Sequence, residues 1–182
     1  MGCRPVEREL LTHPPMSRPK RLDGVSYVGL SSYFVTSCTL DRRQAFGRSD
    51  FCEECLREQS ATSRRFGFAV IAYCFMPDHV HQLVEAASDV ASLPEFVSMW
   101  KQRTGFAWRR RVGTALWQKG YWERILRSSD SMLPIARYVV ENPVRAGLVT
   151  DIHDYPWVGS DRYALDDILV ACQMDLQSGW HR

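Results

Sequence analysis

Residues 66–76, FGFAVIAYCFM, form an almost unbroken apolar run. Its length falls far short of the roughly 20 residues that cross a bilayer, and its valine, isoleucine and aromatic content suits a strand. A strand this uniformly apolar belongs inside a sheet, with one or both faces covered. HVHQLVEA (79–86) follows across Pro77 and Asp78, a turn-forming link. The two segments predict an antiparallel hairpin in the middle of the fold.

The flanking sequence supplies partners and cover for that hairpin. VSYVGLSSYFVTSCTL (25–40) is β-branched and aromatic and closes on the polar DRRQ, which predicts a strand. From Ser49 to Arg65 the pattern is helical, with Phe51, Cys55, Leu56 and Ala61 roughly on one side. Leu93, Phe96, Val97, Trp100, Thr104 and Ala107 recur every three or four residues, an amphipathic helix that ends in three arginines. ALWQKGYWERILR (115–127) predicts a fourth strand. SSDSMLPIARYVVEN then carries capping residues and a helical repeat of Met132, Ile135, Ala136, Val139 and Val140. That helix should stop at Asn142, because Pro143 disfavours helix in the residue before it. Strand, helix, hairpin, helix, strand, helix is the order of an α+β sandwich, with helices packed on a mostly antiparallel sheet.

The chain has 182 residues, 45% of them hydrophobic, which is the length and apolar content of one domain. Residues 1–25 hold four of the nine prolines and read as a basic, flexible arm in which Met16 is a second candidate start; 26–163 is the domain and 164–182 a tail. With no apolar span and no uninterrupted export signal core, a cytoplasmic protein without a membrane partner is expected. The six cysteines then stay reduced. Cys52 and Cys55 lack two further ligands at zinc-finger spacing, so buried thiols are expected. Of 23 basic residues only three are lysine, although net charge is just +2. Arginine's planar fork suits phosphate, while a GC-rich genome gives the same bias without any nucleic-acid partner.

In a strand, alternate side chains share a face, so His79 and His81 point the same way, roughly 7 Å apart at Cα, with Val80 turned to the core. Two imidazoles so placed can converge on one cation or simply sit hydrogen-bonded on a sheet. Tyr138 and Asn142 stand four apart on the last helix, about 40° from each other around its axis. A helix packed on the sheet can present their phenol and amide oxygen to the histidines. Imidazole with an amide oxygen makes a site for Mg²⁺ or Mn²⁺, and a tyrosine beside it suggests covalent phosphoryl transfer. Otherwise Tyr138 is a tyrosine at the core edge and Asn142 a helix terminus.

YFVTSCTLDRRQAF, MPDHVHQLV, LWQKGYWERIL, ARYVVENPVRAGLV and YPWVGS resemble, in that order, the successive blocks of the single-tyrosine HUH transposases. They are closest to the REP-associated tyrosine transposases. The resemblance implies a ferredoxin-like (RRM-like) fold with the histidines on a central strand. It implies that His79, His81 and Asn142 bind the metal, and that Tyr138 attacks single-stranded DNA. A 5′-phosphotyrosine and a free 3′-hydroxyl would result. Relatives of this kind recognise palindromic hairpins, which makes Arg18, Lys20, Arg21, Lys101, Arg103, Arg109, Arg110 and Arg111 the candidate DNA contacts and leaves Trp108 as a possible stacking platform. Asp78, often Asn in the family, would orient a histidine. Phe34 replaces a frequent histidine, and Trp157-Val-Gly-Ser160 replaces Trp-Ser-Ser.

Three functions compete. The first is a metal-dependent single-strand endonuclease and strand transferase, monomeric or homodimeric. The second is a hairpin-binding regulator on the same fold without turnover. A histidine-triad hydrolase needs a third alternating histidine where Leu83 stands.

Overall fold

The computed structural model describes residues 27–127 and 130–178, so the arm with Arg18, Lys20 and Arg21 lies outside the described residues. The hairpin forms as expected. β1 (Ser32–Cys38) precedes α1 (Ser49–Phe66), and β2 (Phe68–Met76) then turns at Pro77 and Asp78 into β3 (His79–Ala86). α2 (Leu93–Val112), β4 (Trp122–Leu126) and α3 (Leu133–Val140) follow. α4 (Asn142–Arg145), β5 (Val158–Gly159) and α5 (Leu165–Ser178) complete the chain. The sheet order is β4-β1-β3-β2-β5, every neighbouring pair is antiparallel, and the histidine strand is central.

Strand alternation sorts β3 between two cores. Val80 packs with Phe51 and Trp100 under α1 and α2, and Val84 with Phe96 and Val97. Leu83 faces the other way, with Phe34, Cys74 and Met76, against Ile135, Ala136 and Val139 of α3. Burying each of these aliphatic side chains contributes about 1.5–3 kcal/mol, which fixes the strand's register because a one-residue slip would exchange its faces. The predicted helical stripes largely coincide with these buried faces, but in α1 the expected Ala61 is exposed and Cys52, Gln59, Thr62 and Ser63 complete the buried side. Gly67 and Gly113 end α1 and α2 in the left-handed conformation, where glycine carries no Cβ penalty.

The region around Pro143 differs from the expected single helix end. α3 ends two residues early, at Val140 with Glu141 as its cap, and proline then sits in the first turn of the short α4. Proline fits there because a first-turn N–H has no helical partner to lose. Residues 164–178, read as a tail, form α5, whose Ile168 and Cys172 are buried against α3. Their signal was present as apolar residues Leu165, Ile168, Leu169 and Cys172 at helical spacing. β5, only two residues long, gave no period to read. Gly159 in it lies so close to Tyr73 that a Cβ would meet the phenol oxygen at 2.9 Å, which accounts for glycine in the last block.

Candidate active site

The hairpin turn is built into a frame. Thr39 donates from its backbone N–H (3.0 Å) and its hydroxyl (2.8 Å) to the Asp78 carbonyl, and Phe46 N–H donates to the Pro77 carbonyl at 3.1 Å. The loop after β1 therefore wraps the turn that starts the histidine strand. Asp41 and Arg42 in this loop both adopt φ of 54°, the left-handed region that costs a non-glycine residue about 1–2 kcal/mol. Arg42 is thereby aimed back at Asp78, with its Nε 2.9 Å from Oδ2, and its Nη1 donates to Cys38 Sγ at 3.0 Å.

Asp78 Oδ1 lies 2.6 Å from His79 Nδ1, and the Thr36 hydroxyl 2.8 Å from His81 Nδ1. Thr36 sits directly across from His81 in the β1–β3 register and so shares its face. Both imidazoles are engaged at Nδ1 and turn Nε2 toward each other, 3.1 Å apart. With Nδ1–H donated to the carboxylate, His79 keeps its Nε2 lone pair free. Burial opposes ionisation of Asp78, but the His79 hydrogen bond and the charges of His79 and Arg42 hold its carboxyl below the usual range. It stays ionised at neutral pH.

Tyr138 projects from the last turn of α3 onto this pair. Its ring meets the His81 ring edge-on at 5.5 Å between centroids and the Phe34 ring at 5.8 Å. Phe34 also contacts His81 at 5.4 Å and Trp122 at 5.4 Å, so it is the apolar floor beneath the site. Burial raises the Tyr138 phenol above its ordinary pKa, partly offset by a hydrogen bond from the Asn142 side chain and by the charge of Arg145. Arg145 lies 5.7 Å from the Tyr138 centroid and pairs with Glu141 at 3.2 Å. Asn142 and Arg145, four and seven residues after Tyr138, stay on the same side of the chain as the tyrosine across the α3–α4 junction at Glu141.

His79, His81, Tyr138 and Asn142 line one cavity of about 440 Å³, together with Asp78, Arg42, Gln44 and Arg145. All the residues expected at the chemistry are thus brought together. Among the described residues, no group of three or more His, Cys, Asp or Glu forms a metal cluster. A cation at the histidine pair would therefore complete its shell with neutral oxygens, such as the Asn142 amide. Two ligands at adjacent positions of an octahedral ion, each about 2.1 Å from it, stand roughly 3.0 Å apart. The 3.1 Å Nε2 separation fits that spacing.

On α2, several of the residues expected to contact DNA also engage the protein itself. Arg103 is tied to Glu58 at 3.0 Å, and Arg111 to Glu54 while lying over the Phe51 ring, so both lock α2 to α1. Lys101 is half-buried; its ammonium donates to the carbonyls of Gln118 and Gly120, and desolvation lowers its pKa to about 8. Trp108 is core, 5.0 Å from Phe51, and is no stacking platform. Arg109 and Arg110 are exposed, and Arg110 lies over the exposed Phe106 ring. Cys52 and Cys55 are buried, as expected of unliganded thiols. Burial pushes the Cys52 pKa up to about 12. No helix among the described residues is long and apolar enough to cross a membrane.

Residues 27–142 match the protein family described as Transposase IS200 like. A Haemophilus influenzae protein that carries the provisional name REP-associated tyrosine transposase is 26% identical over 136 residues, covering 69% of this chain and 77% of that protein. The structure of a REP-associated tyrosine transposase bound to a REP hairpin matches with a TM-score of 0.64 at 20% identity, over 79% of this chain and 82% of the other, a likeness of fold.

Proposed function

This chain belongs to the IS200-like transposase family, and from that premise we propose that it nicks and rejoins single-stranded DNA beside palindromic hairpins, with Tyr138 as the nucleophile. The observation that carries the reading is the single cavity in which Tyr138, Asn142 and the two facing histidine nitrogens meet. On this reading the β-α-β-β-α-β order is a ferredoxin-like scaffold, and residues 26–163 hold the catalytic domain.

Tyr138 Oη attacks a phosphodiester phosphorus and forms a new P–O bond to the 5′ side of the DNA. The P–O3′ bond breaks, its electron pair leaves on the 3′ oxygen, and that oxygen takes up a proton from water as the phenol gives one up. One phosphoester replaces another, so attack by a 3′-hydroxyl on the phosphotyrosine restores the strand. The Asn142 side chain and the charge of Arg145 both lower the phenol's pKa and so favour the negative charge it develops. Asp78 holds the imidazole of His79, and Thr36 that of His81, with Nε2 toward the cavity.

His79, His81 and Asn142 would hold the divalent ion, Mg²⁺ or Mn²⁺. When bound it supplies Lewis acidity toward the phosphate oxygens. Arg109 and Arg110 remain the described α2 residues available to bind DNA phosphates outside the cavity.

An oligonucleotide hairpin with single-stranded flanks, labelled in turn at each end, tests the reading in the presence of Mg²⁺ or Mn²⁺. The downstream label is expected to stay on the protein while the upstream fragment is released with a free 3′-hydroxyl. Upstream label on the protein would contradict the proposed polarity. Hairpin binding without cleavage would favour a regulator on the same fold.

A further inference from the structure

The motif Asn142-Pro-Val-Arg-Ala-Gly147 places Arg145 over the nucleophile's ring, and the DRR segment after β1 places Arg42 in the same cavity. The proposed function assigns neither arginine a role. We infer that Arg42 and Arg145 form a two-sided clamp for the non-bridging oxygens of the scissile phosphodiester, and that they are catalytic residues in their own right. The inference rests on the proposed nuclease reading and adds the means by which the substrate's charge is held.

Three observations carry it. The first is charge: the cavity lining has two guanidiniums and one carboxylate, that of Asp78. The second is preorganisation. Asp78 holds Arg42 at Nε, and Glu141, outside the cavity lining, holds Arg145 at Nη2. Each carboxylate fixes its guanidinium while leaving other N–H donors of the fork for an incoming anion. The third is strain. Two consecutive non-glycine residues in the left-handed region, Asp41 and Arg42, would be replaced by an easier turn if only loop closure were needed.

Donors fixed before the substrate arrives need no reorganisation as charge shifts from the tyrosine oxygen through the phosphoryl group to the departing 3′ oxygen. Removing one such donor typically lowers the rate about 100-fold or more. Arginine is suited to both positions because its planar fork can span two phosphate oxygens, which lysine cannot do.

The test measures covalent adduct formation by wild type and by the Arg42→Gln, Arg145→Gln, Arg42→Lys and Arg145→Lys variants. Each enzyme is given an ordinary oligonucleotide and one with a methylphosphonate at the scissile position, which removes the charge of a non-bridging oxygen. The glutamine variants are expected to lose about 100-fold on the ordinary substrate. On the neutral substrate they should fall within about twofold of wild type, because the group they hold is gone. The lysine variants, which keep the charge without the fork, should be intermediate, and thermal melts check that all variants are folded. Equal penalties on both substrates would assign the arginines a structural role and overturn the clamp, as would full activity in the glutamine variants. If wild type forms no adduct with the ordinary oligonucleotide, the nuclease reading itself fails and the clamp with it.

Discussion

Thr36 decides which nitrogen His81 presents to the cavity. Its hydroxyl can accept from Nδ1–H and so leave the Nε2 lone pair free, a role that valine of the same shape cannot fill. Thr36→Val should therefore raise the Mn²⁺ concentration needed for half-maximal adduct formation by about 10-fold or more. An unchanged metal dependence would mean that His81 does not need this partner. Lys101 makes a separate prediction. Burial lowers its pKa to about 8, against about 10.4 in the unfolded chain. Between those values the unfolded state holds a proton that the folded state has lost, so this group's contribution to stability rises with pH across the window and is absent below it. Wild type should gain on Lys101→Met in urea unfolding from pH 8 to 10, by at most about 1.4 kcal/mol per pH unit. A constant difference would show that Lys101 titrates normally.

His79, His81, Tyr138 and Asn142 could be read from the sequence because each obeys a local period: two on a strand, four on a helix. Thr36 could not, since its partnership with His81 depends on the β1–β3 register, which joins residues 45 apart. Arg42 was hidden for a different reason. It reaches the site through a left-handed backbone that no periodicity signals.

At the scale of elements, apolar stripes predicted β1 through β4 and α1 through α3 because each stripe is buried in the expected way. Charge partners were not legible: the carboxylates that Arg103 and Arg111 pair with belong to α1, which the period of α2 cannot reveal. Helix ends offer a direct test. Gly67 closes α1 at φ +69°, its N–H donates to the Ser63 carbonyl, and a Cβ there would approach Ser88 Oγ to 2.9 Å. Gly67→Ala should cost about 1–2 kcal/mol in urea unfolding, from left-handed strain alone. No loss would imply that the α1–β2 junction relaxes freely.

Over the whole molecule, the sheet separates two tasks. α1 and α2 seal one face with a large aromatic core around Trp100, and that support leaves β3 free to spend two positions of its other face on histidines. The α3 side then brings Tyr138, Asn142 and Arg145 to the same end of the central strand. The most direct test of the central claim is mass spectrometry of the protein digested after incubation with a hairpin oligonucleotide and Mn²⁺. A nucleotide-bearing peptide modified at Tyr138, and its loss in Tyr138→Phe, is the predicted result. DNA attached at another residue, or an adduct that survives Tyr138→Phe, would contradict the account.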